Sequence, residues 1–252
     1  MVNLMSNCNI LMIVEGGKLE PQIMNNLLKV YNLKDEYKLY SYGTNIYELY
    51  DRMFSEDDDI DALDFLQLLK SKEADKEKKK IFDLEYSDII LIFDFDPQDD
   101  RYSPEKIKKM KEYFNESTEN GKLYINYPMV ESFKHVRSFP EDNEYKNRKV
   151  TLEDVNQYKT IVGREAKITQ INKYDKEKCN QIILHNIKKA NYILNNEYNF
   201  SMNKEEYYDL DFDEILSIQN ELLEKEKYFW VLNTCSLFIM DYDYKLVLEE
   251  FE

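Results

Sequence analysis

The chain lacks much of what marks several familiar protein classes. Three cysteines, Cys8, Cys179 and Cys235, are too few and too scattered for a disulfide-stapled secreted scaffold, and the absence of any C-x-x-C pair speaks against zinc and dithiol redox chemistry. Two histidines, His135 and His185, with no H-E-x-x-H run, leave no histidine-rich metal site and little for a catalytic triad. No serine sits in a G-x-S-x-G setting, and no G-x-x-x-x-G-K-[ST] loop is present, so nucleotide hydrolysis would belong to another subunit. The apolar run Ile10–Val14 has no basic segment before it and ends at Glu15, which is not a signal peptide. The longest greasy stretch, Tyr228–Met240, contains Asn233, Thr234 and Ser236 and is too short to span a bilayer, so a cytoplasmic protein without membrane contact is expected. Glycine, alanine and arginine are scarce beside lysine, asparagine, isoleucine and tyrosine, a bias expected of an AT-rich, bacterial coding sequence.

A surplus of acid is what the chain has instead. The formal net charge of −16 works against general polyanion binding, because neutralising phosphates needs clustered Lys and Arg. Nucleic acid would have to be met locally, through a metal, a basic partner or a patch such as Lys106, Lys108, Lys109 and Lys111, which otherwise reads as a solvated helix face.

Residues 9–14 form a continuous apolar run that reads as a strand buried on both faces, followed by the turn Glu15-Gly16-Gly17. Ile23, Met24, Leu27, Leu28 and Tyr31 then recur at helical spacing behind Pro21. Residues 37–42 read as a second strand, Ile46, Leu49, Tyr50 and Met53 as a helix, and residues 60–69 as another. Residues 71–80 are almost wholly charged, an exposed helix extension or a connector. Residues 89–93 restore a buried strand ending in Asp94-Phe95-Asp96-Pro97, Ser103 and Pro104 start a capped helix, and residues 123–125 form a fourth strand. This alternation predicts an α/β fold: a mostly parallel sheet of about four strands with helices on both faces. Beyond residue 139 the pattern turns to helices, at Cys179–Leu194 and around Ile215–Leu223, while residues 228–232 fit helix or strand equally. Two regions follow, 1–138 and a mainly helical 139–252.

Glu15, Asp94, Asp96 and Glu131 fall at or just after strand ends, where parallel sheets bind ligands. Side chains two apart share a face while a strand persists, so Asp94 and Asp96 are expected to point together. Two such charges about 4 Å apart repel by roughly 4 kcal/mol at an effective dielectric near 20. A raised carboxyl pKa would offset this, as would a hard cation such as Mg²⁺. Asp99 and Asp100 read as turn residues, and Arg101 and Arg164 as surface residues within reach of a phosphate.

These segments resemble a known family. Ile13-Val14-Glu15-Gly16-Gly17-Lys18-Leu19-Glu20-Pro21 is similar to the strand–glutamate–glycine motif of TOPRIM domains, in the E-G-x-x-x-E-P form of the RloB and AbiLii-like branch. Ile92-Phe93-Asp94-Phe95-Asp96 is similar to the TOPRIM D-x-D. Asn126-Tyr127-Pro128-Met129-Val130-Glu131-Ser132-Phe133 resembles the N-P-x-x-E-x-W stretch, with an inserted Tyr127 and with Phe133 for the tryptophan. The resemblance covers about the first 138 residues and implies a TOPRIM-like fold and Mg²⁺-dependent (or Mn²⁺-dependent) cleavage of DNA or RNA, tRNA included. It implies Glu15, Asp94 and Asp96 as catalytic residues and metal ligands, Glu131 as a further ligand, and Gly16, Lys18 and Glu20 beside the substrate. It also implies a toxic effector of bacterial defence against phage, controlled by a partner ATPase. A competing expectation is a non-catalytic acidic subunit that binds another protein. For the nuclease, the region after residue 139 is the expected docking face for the partner, with Tyr228, Phe229 and Trp230 as candidate anchors that otherwise read as core.

Overall fold

A computed structural model describes residues 10–34, 36–54 and 64–249. Cys8, and the residues before Asp64 in the helix expected over 60–69, lie outside the described residues. Four parallel strands form the centre: β1 (Ile10–Val14), β2 (Tyr37–Ser41), β3 (Asp88–Asp94) and, after the short β4 (Asn115–Glu116), β5 (Gly121–Asn126). Their order is β2-β1-β3-β5-β4, with β4 antiparallel to β5 at the edge. β1 and β3 are parallel neighbours in the register Ile10↔Asp88 to Val14↔Ile92. Every residue of β1 is buried, whereas β2, at the edge of the sheet, buries Tyr37 and Tyr40 and leaves Lys38 exposed. The two-residue β4 has no hydrophobic pattern to announce it, so the sheet has five strands rather than about four.

The helices form where their caps and apolar spacings place them. α1 (Leu19–Val30) buries Ile23, Met24, Leu27 and Leu28 on one face. α2 (Ile46–Met53) is capped by Asn45, α3 (Phe65–Lys72) by Asp64, and the one-turn α4 (Lys76–Lys79) by Asp75. In α5 (Pro104–Tyr113) Ser103 accepts from the N–H groups of Glu105 and Lys106, and proline occupies the first turn. The α5 lysines are spent within the fold: Lys106 pairs with Asp51, Lys108 with Glu112 and Lys111 with Asp213, and Lys109 lies over the Phe54 ring.

After residue 138 come β6 (Lys149–Thr151), α6 (Tyr158–Glu165), α7 (Lys176–Asn195), α8 (Lys204–Tyr208), α9 (Phe212–Glu226), β7 (Tyr228–Trp230), α10 (Phe238–Asp243) and α11 (Lys245–Leu248). β6 and β7 pair antiparallel, so residues 228–230 are strand, stabilised by a partner nearly eighty positions away that local periodicity could not reveal. This segment shares its core with the sheet. α7 packs on α1 and α9, the Phe229 ring lies 5.4 Å from that of Phe95, and Tyr127 and Leu232 exchange two backbone hydrogen bonds. Phe229 is fully buried, which removes it as a docking anchor, and half-buried Tyr228 and Trp230 are covered by Lys149 and Lys189. Among the described residues no helix is long and apolar enough to cross a membrane.

Candidate metal centre

The chain leaves β1 through α1 toward β2 on one side and leaves β3 through α5 toward β5 on the other. Winding reverses between β1 and β3, and the diverging connections open a crevice at their carboxyl ends. A cleft of about 780 Å³ lies there, lined by Glu15, Gly16, Lys18, Glu20, Asp94, Asp96 and Glu131 among others. Every acidic residue singled out from the sequence is thus brought together, along with the three proposed substrate contacts.

Each carboxylate has its own support. Glu15 follows β1 and accepts from the Asp94 N–H at 3.0 Å, tying the two strand ends together. Glu20, in the first turn of α1, folds back onto the N–H of Gly16. A β-carbon on Gly16 would lie 2.6 Å from that carboxylate, so a side chain at position 16 would displace the Glu20 carboxylate from this place. Asp94 ends β3 and receives the Asn126 amide at 3.3 Å. Asp96 does not reach the cleft by strand alternation, because β3 stops at Asp94. Phe95 plunges into a ring cluster with Tyr102, Tyr127 and Phe229, and its N–H donates to the Asn126 and Pro128 carbonyls. Asp96 then adopts φ of 40°, a left-handed conformation costing roughly 1–2 kcal/mol outside glycine, and this turn aims its carboxylate into the cleft. Glu131 sits in the 3-10 turn Val130–Lys134 with one oxygen 3.6 Å from Lys159 Nζ. Its other oxygen is buried without a hydrogen-bond partner among the described residues.

Burial, with mutual repulsion added, raises the pKa values of Glu15, Glu20, Asp94 and Asp96. Burial, then the Asp96 charge, pushes Glu15 up to about 8, against the Asp94 N–H bond that lowers it. Burial, followed by the charges of Glu15 and Asp96, carries Asp94 well above the carboxylate range. Burial also raises Asp96, offset in part by the Gln98 amide and Lys159. For Glu20 burial is again the largest cause, with Glu131 adding to it.

The donor set fits a hard divalent cation in kind: it is all oxygen and it has an orphaned buried carboxylate atom. Among the described residues no three His, Cys, Asp or Glu side chains stand in a ready-made ligand cage. Instead the carboxylates face protein donors, Glu15 the Asp94 N–H, Asp94 Asn126, Asp96 Gln98 and Glu131 Lys159.

Two supports escaped the sequence reading. Lys159, on α6, lines the cleft; burial would lower its pKa, but the charges of Glu131, Asp94, Glu20 and Asp96 outweigh it and raise it. No motif marks it. Behind Asp94, Asn233 donates to Asn126 and to Ser132, each at 3.1 Å, and the Asn233 N–H donates to Asn186 at 2.7 Å. A buried amide chain therefore runs from the C-terminal segment to Asp94. Its only sequence signal is the polar group Asn233, Thr234 and Ser236 within an apolar run.

Other candidates are occupied elsewhere. His135 is buried, accepting from Tyr158 OH at Nδ1 and donating from Nε2 to Glu165, and its pKa is pushed down to about 3 by burial and by Arg148 and Arg137. His185 is also buried, receiving the Asp142 N–H on Nε2 and facing Tyr198 OH. Arg101 is held by Asp99 and Glu48, and exposed Arg164 lies beside Glu165. Comparison of the chain with protein-family models, with curated proteins and with solved structures finds no match in any of the three.

Proposed function

We propose that this protein is a divalent-metal-dependent nuclease, a hydrolase of DNA or RNA phosphodiester bonds centred on Glu15, Asp94 and Asp96. The observation that carries the reading is the burial of like-charged carboxylates from two adjacent parallel strands at the point where winding reverses. Such a cluster costs folding free energy, and a hard cation with a phosphate diester is the ligand chemistry that offsets the cost. The order and strand context of the segments resembling TOPRIM motifs support the same reading.

Asp94 and Asp96 would hold Mg²⁺ or Mn²⁺, with Glu131 beside a second position. The bound ion supplies Lewis acidity and a water of lowered pKa. Glu15, held by the Asp94 N–H through one oxygen, would serve as a metal ligand or as the group that takes and returns a proton. Lys159 and Lys18 flank the acids and supply positive charge for a phosphate. The Asn126–Asn233 chain keeps Asp94 aimed. Gly17, with open space where a β-carbon would stand, leaves that part of the wall free of side chains, so that a substrate backbone can approach.

The proposal extends to regulation. A chain of charge −16 repels nucleic acid over roughly 8–10 Å at physiological salt, and a partner, for which an ATPase is the proposed class, would cover part of that surface. In this reading the nuclease is the toxic effector of a bacterial anti-phage system. Purified protein, alone and co-purified with the product of the adjacent gene, is incubated with Mg²⁺ or Mn²⁺ and mixed DNA and RNA. Cleavage lost in Asp94→Ala is expected; equal products from wild type and variant would overturn the assignment.

A further inference from the structure

A second groove, of about 960 Å³, opens from the metal cleft and shares Gly17 and Lys18 with it. Its walls are α1, through Gln22, Asn25, Asn26 and Lys29, and the segment Thr169–Asn172, with Lys34 at the far end. Gln22, Asn25 and Lys29 recur at helical spacing and form one stripe along α1, and Lys18, just before the helix, lines the same groove. Acid is missing here. Asp and Glu make up 50 of 252 residues, about one in five, yet residues 21–34 and 166–174 contain neither, while they carry Lys29, Lys34, Lys167 and Lys173. Lys18, Lys29 and Lys34 are exposed and form no ion pair with any described residue, unlike Lys106, Lys108 and Lys111 of α5. The groove is therefore a cationic, amide-rich channel on an acidic molecule, leading into a carboxylate cluster.

We propose that this groove is the track of a nucleic-acid strand, with its phosphates on Lys18, Lys29 and Lys34 and its sugars and bases against the amides of Gln22, Asn25 and Gln170. Charge complementarity selects the occupant. An acidic protein segment would also meet the lysines, but the groove ends at carboxylates that repel it, whereas for a phosphodiester chain Glu15, Asp94 and Asp96 would hold a divalent cation that supplies positive charge to the phosphate. Lys and amide side chains in a line are what a backbone-tracking, sequence-tolerant channel requires. The track gives the nuclease reading, on which it rests, its polarity: the strand reaches Asp94 and Asp96 past Gly17 and Lys18.

The test is binding without cleavage. Fluorescence anisotropy of labelled single-stranded DNA, single-stranded RNA and duplex is measured over a salt series, both in EDTA and with Ca²⁺ as an oxygen-seeking ion in place of Mg²⁺ or Mn²⁺, for wild type and Lys29→Gln/Lys34→Gln. Both side chains are exposed, so the variant keeps its fold, which far-UV circular dichroism checks. The expected result is binding weakened roughly tenfold at low salt, with a log–log salt slope smaller by roughly 1 for each lysine removed. Lys76→Gln/Lys78→Gln on α4, of equal charge change, leaves slope and affinity as in wild type. The more strongly bound oligonucleotide names DNA or RNA as the substrate. An unchanged slope in the groove variant, an equal loss in the α4 variant, or no binding by wild type would each overturn the track. Groove-dependent binding without metal-dependent cleavage would uphold the track and count against the nuclease reading.

Discussion

Replacing Glu15 by glutamine should make the metal-free protein more stable. Folding holds a proton on Glu15 up to about pH 8, whereas the unfolded chain releases it near 4.5. At pH 7 the folded state therefore carries a penalty of about 3 kcal/mol, at about 1.4 kcal/mol for each pH unit. Glutamine removes the titration yet keeps an oxygen to accept the Asp94 N–H, now 3.0 Å away. For a chain of this length the gain corresponds to roughly 6–12 °C in Tm. The sign follows from the raised pKa: wild type has its full stability below about 4.5 and loses it as pH rises through about 8. The advantage of Glu15→Gln should thus be near zero at pH 4, grow through neutrality and level off above pH 8. Urea unfolding in EDTA at pH 4, 7 and 8.5 measures it. A variant less stable than wild type at pH 7, or a difference independent of pH, would refute the claim that these carboxylates are held together against their repulsion.

Asn233→Ala removes the amide joining Asn126 to Ser132 inside the core and should cost about 2–4 kcal/mol in urea unfolding, with a further loss of metal affinity as Asp94 loses its backing. His135 has its pKa lowered by burial, Arg148 and Arg137, so its contribution is present above about 6.5 and is lost as pH falls toward 3. Wild type should lose about 1 kcal/mol of stability per pH unit between 6 and 4 on its account, and His135→Gln should show a shallower acid limb in denaturation curves.

Much of the sheet was legible because strands buried on both faces carry no polar alternation. Residues 9–14 and 89–93 read as strands; residues 10–14 form β1, Asn9 lying outside the described residues, β3 runs one residue beyond 89–93 at each end, and the two are neighbouring parallel strands. The Ser103 cap and Pro104 were as plain in the chain as in the fold. Long-range pairings were not legible. β6 pairs with β7 across most of the C-terminal segment, and β4 consists of two exposed residues. In the site, the acids were legible because each follows a strand, but the reason Asp96 faces the cleft was not. A left-handed turn, anchored by buried Phe95, does what strand alternation was expected to do. Lys159 and Asn233 were beyond reach, since their roles depend on which distant element packs against the strand ends. The groove beside α1 was present in the sequence only as an absence of acid.

Isothermal titration of Mn²⁺ into the metal-free protein tests the central claim most directly, because it needs neither substrate nor partner. Wild type should bind one or two ions with proton release, and Asp94→Asn/Asp96→Asn, which leaves the cleft isosteric, should bind none. Equal binding by both proteins, or no binding by wild type, would contradict a metal centre at the ends of β1 and β3.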